Sequence, residues 1–137
     1  MAIQDYITQQ PVERRQILAA IHALIIVHDK TVTASVEPMM GKEMILYKAG
    51  GMMKYGLAGV KNYMSLHVMP IYASPQLFNR YKALLNRANF QKGCINFSSD
   101  ADMPLPIVQQ LIIDCAGVDL AKIKEDYVQA KKAAKKK

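Results

Sequence analysis

Apolar and polar positions alternate with a period of two through Met53–Met69, MKYGLAGVKNYMSLHVM, and that stretch predicts a β-hairpin in the middle of a sheet. Two runs, Met53–Val60 and Tyr63–Met69, flank Lys61-Asn62. A two-residue loop there sets Val60 opposite Tyr63, Ala58 opposite Ser65, Leu57 opposite Leu66, Gly56 opposite His67 and Tyr55 opposite Val68. Asn tolerates the left-handed backbone that such a loop asks for. Side chains alternate along a strand, so one face collects Tyr55, Leu57, Met64, Leu66 and Val68 and calls for a cover of helices. The other collects Lys54, Gly56, Ala58, Tyr63, Ser65 and His67, a small and polar set that predicts a shallow hollow. A one-residue slip would exchange the two sets, so the contrast between them specifies the register.

The flanking elements follow from the same patterning. Ile3–Gln9 reads as a short helix with Ile3, Tyr6 and Ile7 at helical spacing. Pro11 opens a second helix, Glu13 suits its positive end, and Ile17, Ile21, Leu24, Ile25 and His28 form one apolar stripe that ends at Asp29-Lys30. Arg14, Arg15 and His22 lie off that stripe. Thr31–Val36 is a short β-prone run that Pro38 and Gly41 are expected to break. Met44–Lys48 is a further strand, and Gly50-Gly51 turns it into the central hairpin. Ser74-Pro75 starts a helix with Leu77, Tyr81, Leu84, Leu85 and Ala88 on one side. Cys94–Ser98 is a strand, with Ile95 and Phe97 on one face and Cys94 and Asn96 on the other. Pro106 opens a helix carrying Val108, Leu111, Ile112 and Cys115, with Gly117 at its end. Asp119 caps a last helix, Leu120–Tyr127, before a Lys-rich tail.

Strands and helices do not alternate strictly, which argues against a doubly wound parallel sheet. The expected class is α+β: a single antiparallel sheet of about five strands with helices packed on it in two layers. At 137 residues the chain is expected to be one domain over 1–128, followed by a flexible tail over 129–137. The net charge of +7 suggests polyanion binding, but five of the last seven residues are Lys, which leaves +2 for the rest. Any nucleic-acid affinity is therefore assigned to weak, salt-dependent phosphate contacts of the tail. The longest apolar run, Ile17–Val27, contains His22 and is too short to span a bilayer. Cys94 and Cys115 have neither metal-type nor disulfide-framework spacing, so a reducing cytoplasm is expected.

Candidate chemistry centres on His67, which the hairpin register places opposite Gly56 and beside Ser65 and Tyr63, with Cys94 on the same sheet face. Tyr63, Ser65, His67 and Cys94 are the candidate ligand-binding set. Histidine is the usual general base or metal ligand near neutral pH. A Ser/His or Cys/His nucleophile also needs an orienting acid and an oxyanion donor, and no motif supplies either. The plainer account of His67 is a hydrogen-bonded structural histidine. No catalytic set is assigned. His67, Asp100 and Asp102 are the candidate metal ligands, against the plainer account of solvated loop carboxylates. Nine Met residues read first as gap-filling core.

Several motifs carry a resemblance. V-x-P-M-M-G…Y-K, then K-Y-G-L-A-G-V-K-N-Y-M-S-L-H-V, K-G-C-I-N-F and L-P-I-V-Q-Q-L-I, spread over Pro11–Cys115, resemble the YdhG-like family of small bacterial proteins, also called domain of unknown function 1801. The resemblance implies a fold like that of the type III secretion chaperones. It implies no shared chaperone activity. Most of that family has no assigned activity, and one branch is frataxin-like and handles iron. Two classes of function follow. The first is a non-enzymatic module binding a small ligand, a metal such as iron, or a protein, including a second copy of the chain. The second is an enzyme using the polar sheet face around His67.

Overall fold

The computed structural model describes residues 1–39 and 41–120, together with Lys122, Glu125, Gln129 and Lys132. The chain enters through α1 (Ile3–Thr8) and α2 (Val12–His28) and then lays down β1 (Thr33–Met39), β2 (Lys42–Ala49), β3 (Met52–Gly59) and β4 (Met64–Val68). It continues through α3 (Met69–Ala73), α4 (Pro75–Leu84), β5 (Asn89–Gln91), β6 (Cys94–Phe97) and α5 (Leu105–Ala116). The strands make one sheet in the order β1-β2-β3-β4-β6-β5, every neighbouring pair antiparallel. This is the expected α+β class, with six strands where the patterning suggested five. The addition is β5, three residues long and too short to show a period. The expected helix over 120–127 and the 129–137 tail fall almost wholly outside the described residues. The Asp119 cap is visible, its carboxylate accepting the Lys122 backbone N–H at 3.2 Å.

Local chemistry explains the punctuation. Ser74 accepts the Leu77 N–H at 3.3 Å while Pro75 opens α4. Gly50 and Gly51 take φ of +58° and +79°, the mirror-image turn that fits the right-handed twist of β2 and β3. Along α2 the turn-to-turn spacing buries Ile17, Leu18, Ile21 and Ile25. They pack with Ile45, Tyr47, Tyr55, Leu57, Leu66 and Val68 from the sheet and Val108, Leu111, Ile112 and Cys115 from α5. Each of the fully buried aliphatic chains contributes about 1.5–3 kcal/mol relative to exposure. The core cluster on the opposite sheet face, Met44, Leu46 and Ala58 with Met39 and Met53 against it, contains strand residues alone. Helices therefore cover one face, and the other stands open among the described residues.

Four expectations need correction. Pro38 does not end β1. It pairs with Glu43 inside the strand, which is tolerated because β1 is the sheet edge and its missing N–H costs no inner ladder bond. The β3–β4 register is as expected, from Tyr55↔Val68 to Gly59↔Met64, but Lys61-Asn62 do not use left-handed backbone. Arg14 holds that turn from outside, its guanidinium donating to the carbonyls of Val60 (2.5 Å), Tyr63 (3.3 Å) and Lys61 (3.4 Å). The hollow at Gly56 is filled. A methyl built on Gly56 would come within 3.0 Å of Met44 Cε and 3.4 Å of Met53 Sδ.

The last correction concerns Lys54, placed by strict alternation on the open face. β2 and β3 shift register at this point: Tyr47 pairs with Tyr55 and Lys48 with Met53, leaving Lys54 as the extra residue of a bulge. The bulge turns Lys54 toward the helices. Its ammonium lies 2.8 Å from Asp29 Oδ2 at the end of α2 and also donates to Thr31 Oγ1 (3.2 Å) and the Ala116 carbonyl (3.3 Å). Asp29 accepts in addition from the Tyr55 hydroxyl at 2.7 Å and from Thr31. Both charges are buried, and neither has an empty valence.

Candidate functional site

The open face is built in transverse rows fixed by the ladder. One row runs Gln91, Cys94, His67, Gly56, Leu46 and Ser35, and the next runs Asn89, Asn96, Ser65 and Ala58. The face thus divides. Its β1–β3 half carries the cluster of Met44, Leu46, Ala58, Met39 and Met53, with Ser35 and Lys48 bonded to Glu37 toward the β1 edge, and its β4–β6–β5 half is amide, hydroxyl, thiol and imidazole. Strand alternation dictates the division, because Ile95, Phe97, Leu66 and Val68 spend the other face on the core.

Within the polar half the side chains bond across strands. Cys94 Sγ lies 2.9 Å from His67 Nδ1. Ser65 donates to Asn96 Oδ1 at 2.8 Å, and Asn96 Nδ2 donates to Gln91 Oε1 at 3.4 Å. Burial lowers the His67 pKa and raises that of the Cys94 thiol. Both shifts favour a neutral pair, thiol against imidazole, over a thiolate–imidazolium pair. Among the described residues no carboxylate hydrogen-bonds the His67 ring. The pair therefore lacks the orienting acid that activates a nucleophile.

Beyond Asn96 the polar half ends in a cavity of about 350 Å³, lined by Tyr63, Arg87, Asn89, Gln91, Asn96 and Asp102 among others. Of the four expected ligand-binding residues, Ser65, His67 and Cys94 share one patch of sheet. Tyr63 lies outside the β4 ladder, in that cavity, linked to the patch through Asn96. Arg87, Asn89 and Gln91 were not anticipated. Asn89 and Gln91 belong to the strand that patterning missed, and an alternating N-x-Q before a turn is the one signal that could have found it.

The carboxylates proposed for metal are engaged or apart. Asp102 closes a 3-10 turn over Asp100–Asp102, accepting from the Ser98 N–H at 2.9 Å and the Ser99 N–H at 3.3 Å, with Arg87 Nε 3.8 Å away. Asp100 opens toward a different recess, beside Glu13 and Gln16. Among the described residues no group of three His, Cys, Asp or Glu converges. The oxygen-rich donor set that iron(II) prefers is not assembled at these positions, and the residues do not fit such a site.

A second cavity, about 380 Å³, opens beside the Lys54 bulge, lined by Thr31, Gly50, Lys54, Ala116 and Asp119 among others. Of its two named charged residues, Lys54 has its ammonium saturated, and Asp119 accepts the Lys122 backbone N–H. No helix among the described residues is long and apolar enough to cross a membrane.

These features define an α+β protein with one covered and one open sheet face, the open one half polar. No protein-family model matches the chain, and neither a curated protein nor a solved structure matches it.

Proposed function

We propose that the protein is a non-enzymatic binding module that takes a small polar ligand in the cavity at the end of the β4–β6–β5 half. The observation that carries this reading is the side-chain relay from Ser65 through Asn96 to Gln91, which ends in that cavity. Amides supply both donors and acceptors, Arg87 adds a fork of donors, and Tyr63 adds a ring to stack on. That chemistry suits a ligand with hydroxyl, amide or carboxylate groups and a flat or ring-shaped body. The neutral Cys94–His67 pair and the absence of a partnering acid among the described residues favour binding over nucleophilic chemistry.

The test is a titration of isotope-labelled protein with a panel of monosaccharides, amino acids and small amides, followed by NMR of side-chain NH₂ groups. Asn89, Gln91 and Asn96 are expected to shift together with at least one compound. Replacement of Asn96 by Leu is expected to remove that response. A panel that leaves these three groups unmoved, or shifts that gather elsewhere, would overturn the reading.

A further inference from the structure

We propose that the groove between α3, α4 and the β5–β6 turn is a docking site for an acidic peptide segment of a partner protein, which seats one apolar side chain between Tyr72 and Phe78. The groove shares no lining residue with the cavity at the end of the polar half.

Charge is unevenly spread along the chain. Between Glu43 and Asp100 the sequence holds Lys and Arg but neither Asp nor Glu. Several of these cations borrow a carboxylate from elsewhere: Lys48 pairs with Glu37, Lys54 with Asp29, Arg80 with Asp114 and, more loosely, Arg87 with Asp102. Lys61, Lys82 and Lys92 have no carboxylate at ion-pair distance among the described residues. Lys82 and Lys92 stand at the same groove.

That groove measures about 270 Å³ and is lined by Ile71, Tyr72, Pro75, Phe78 and Lys92. Its shape follows from local structure. Ser74 ends α3 and caps α4, so two short helices meet at a corner, and Tyr72 is left 60% exposed. Gly93 lets the β5–β6 turn close on α3. A Cβ there would stand 3.1 Å from Tyr72 Cβ, and the Gly93 carbonyl accepts the Val68 N–H at 2.7 Å. This close approach holds Lys92 at the rim. Phe78 packs edge-on against Phe90, ring centroids 5.7 Å apart, which fixes its ring as a wall. Lys82 Nζ lies 5.6 Å from the centre of that ring.

An apolar hollow with a cationic rim is complementary to an apolar side chain flanked by carboxylates. The volume lies below the usual range of small-molecule pockets, about 300–1,000 Å³, and suits one anchoring side chain. A run of single-stranded bases would need several exposed rings in succession, whereas Tyr72 is the one largely exposed ring in this lining.

The experiment titrates the isotope-labelled full chain with a short synthetic peptide, one central phenylalanine among aspartates and glutamates, and follows it by NMR. The Tyr72 and Phe78 ring signals and the Lys92 amide are expected to shift together. Tyr72→Ala, a change at an exposed side chain, is expected to weaken binding about tenfold. Lys92→Asn removes the cation yet suits the left-handed φ of +56° at that position. That variant and Lys82→Gln are each expected to weaken binding about twofold to fivefold, with the difference shrinking as salt is raised. Control peptides with alanine for the phenylalanine, or lysines for the acids, are expected to leave the three signals in place. An acidic peptide that moves none of them, or whose shifts gather elsewhere, would overturn the proposal. So would a single-stranded oligonucleotide that moves them further than the peptide does, since the partner would then be a nucleic acid. The wild-type shifts decide the location whether or not a variant folds.

Discussion

The polar cluster on the helix side of the sheet and the one in the β4–β6–β5 half of its open face differ in how fully they are satisfied. On the helix side, Lys54, Asp29, Thr31 and Tyr55 are closed on themselves. The ammonium has three acceptors, the carboxylate has donors on both oxygens, and both ionic side chains are nearly inaccessible. On the open side, among the described residues, Ser65, His67, Cys94 and Gln91 each form one side-chain bond and Asn96 two, all of them partly exposed. A saturated buried cluster can join elements but has nothing left with which to recognise a ligand. An unsaturated one on an open face stabilises little and remains free to bind. That contrast ties the first to architecture and agrees with the binding role proposed for the second.

The largest expected effect comes from breaking the closed cluster. Asp29→Ala would leave the Lys54 ammonium buried without its counter-charge, and the unfolding free energy is expected to fall by about 3–5 kcal/mol, read from the urea midpoint. Asp29→Leu combined with Lys54→Met is expected to recover most of that loss, because no uncompensated charge remains. A double variant no more stable than the single one would show that the ion pair is not what the bulge is for. Tyr55→Phe removes one buried donor to Asp29 and is expected to cost less, about 1–3 kcal/mol.

Acid separates the clusters by pH. Burial alone would raise the Asp29 carboxyl, but hydrogen bonds from Lys54, Thr31 and Tyr55 outweigh it and hold the pKa below its usual value. The unfolded chain then binds the proton more readily than the folded one. The contribution of Asp29 is present above the unfolded carboxyl pKa of about 3.9 and is lost as pH falls toward the lower folded value. His67 and His22 are lowered by burial alone. Their cost is absent above the unfolded imidazole pKa of about 6.5 and grows as pH falls below it. Urea midpoints measured against pH are therefore expected to decline in two separate windows. His67→Asn is expected to shrink only the upper one, and Asp29→Asn only the lower.

The two clusters were not equally legible in the sequence. The open one was largely readable, since strict alternation and a short loop place Ser65 and His67 on one face, and K-G-C-I-N-F puts Cys94 and Asn96 beside them. Reading stopped at β5, where three residues give no period, so Asn89 and Gln91 were missed. The closed cluster was invisible for a physical reason. A bulge breaks the very alternation on which strand reading depends, and it sent Lys54 to the wrong face. Asp29 read as a helix end because nothing local reveals a partner twenty-five residues on. The Lys61-Asn62 turn failed differently. Loop length fixed the register correctly, but the backbone conformation is set by Arg14, which reaches the turn from another element.

The smallest expected effect lies on the open face, and it sharpens the comparison most. Cys94 is partly exposed and, among the described residues, its thiol bonds to His67 alone, so Cys94→Ala removes one hydrogen bond and leaves no buried group orphaned. Its effect on the urea midpoint is expected to correspond to less than about 0.5–1 kcal/mol, the range of substitutions that create neither a cavity nor an unpaired buried charge. Cys115→Ala provides the internal control. That thiol is wholly buried under α5, with its pKa pushed up to about 12 mainly by burial, and truncating it opens a void in the core. Cys115→Ala should therefore destabilise clearly more than Cys94→Ala. Equal losses would mean that the open face is as tightly committed to stability as the core, and the division of labour between the two sides of the sheet would fail.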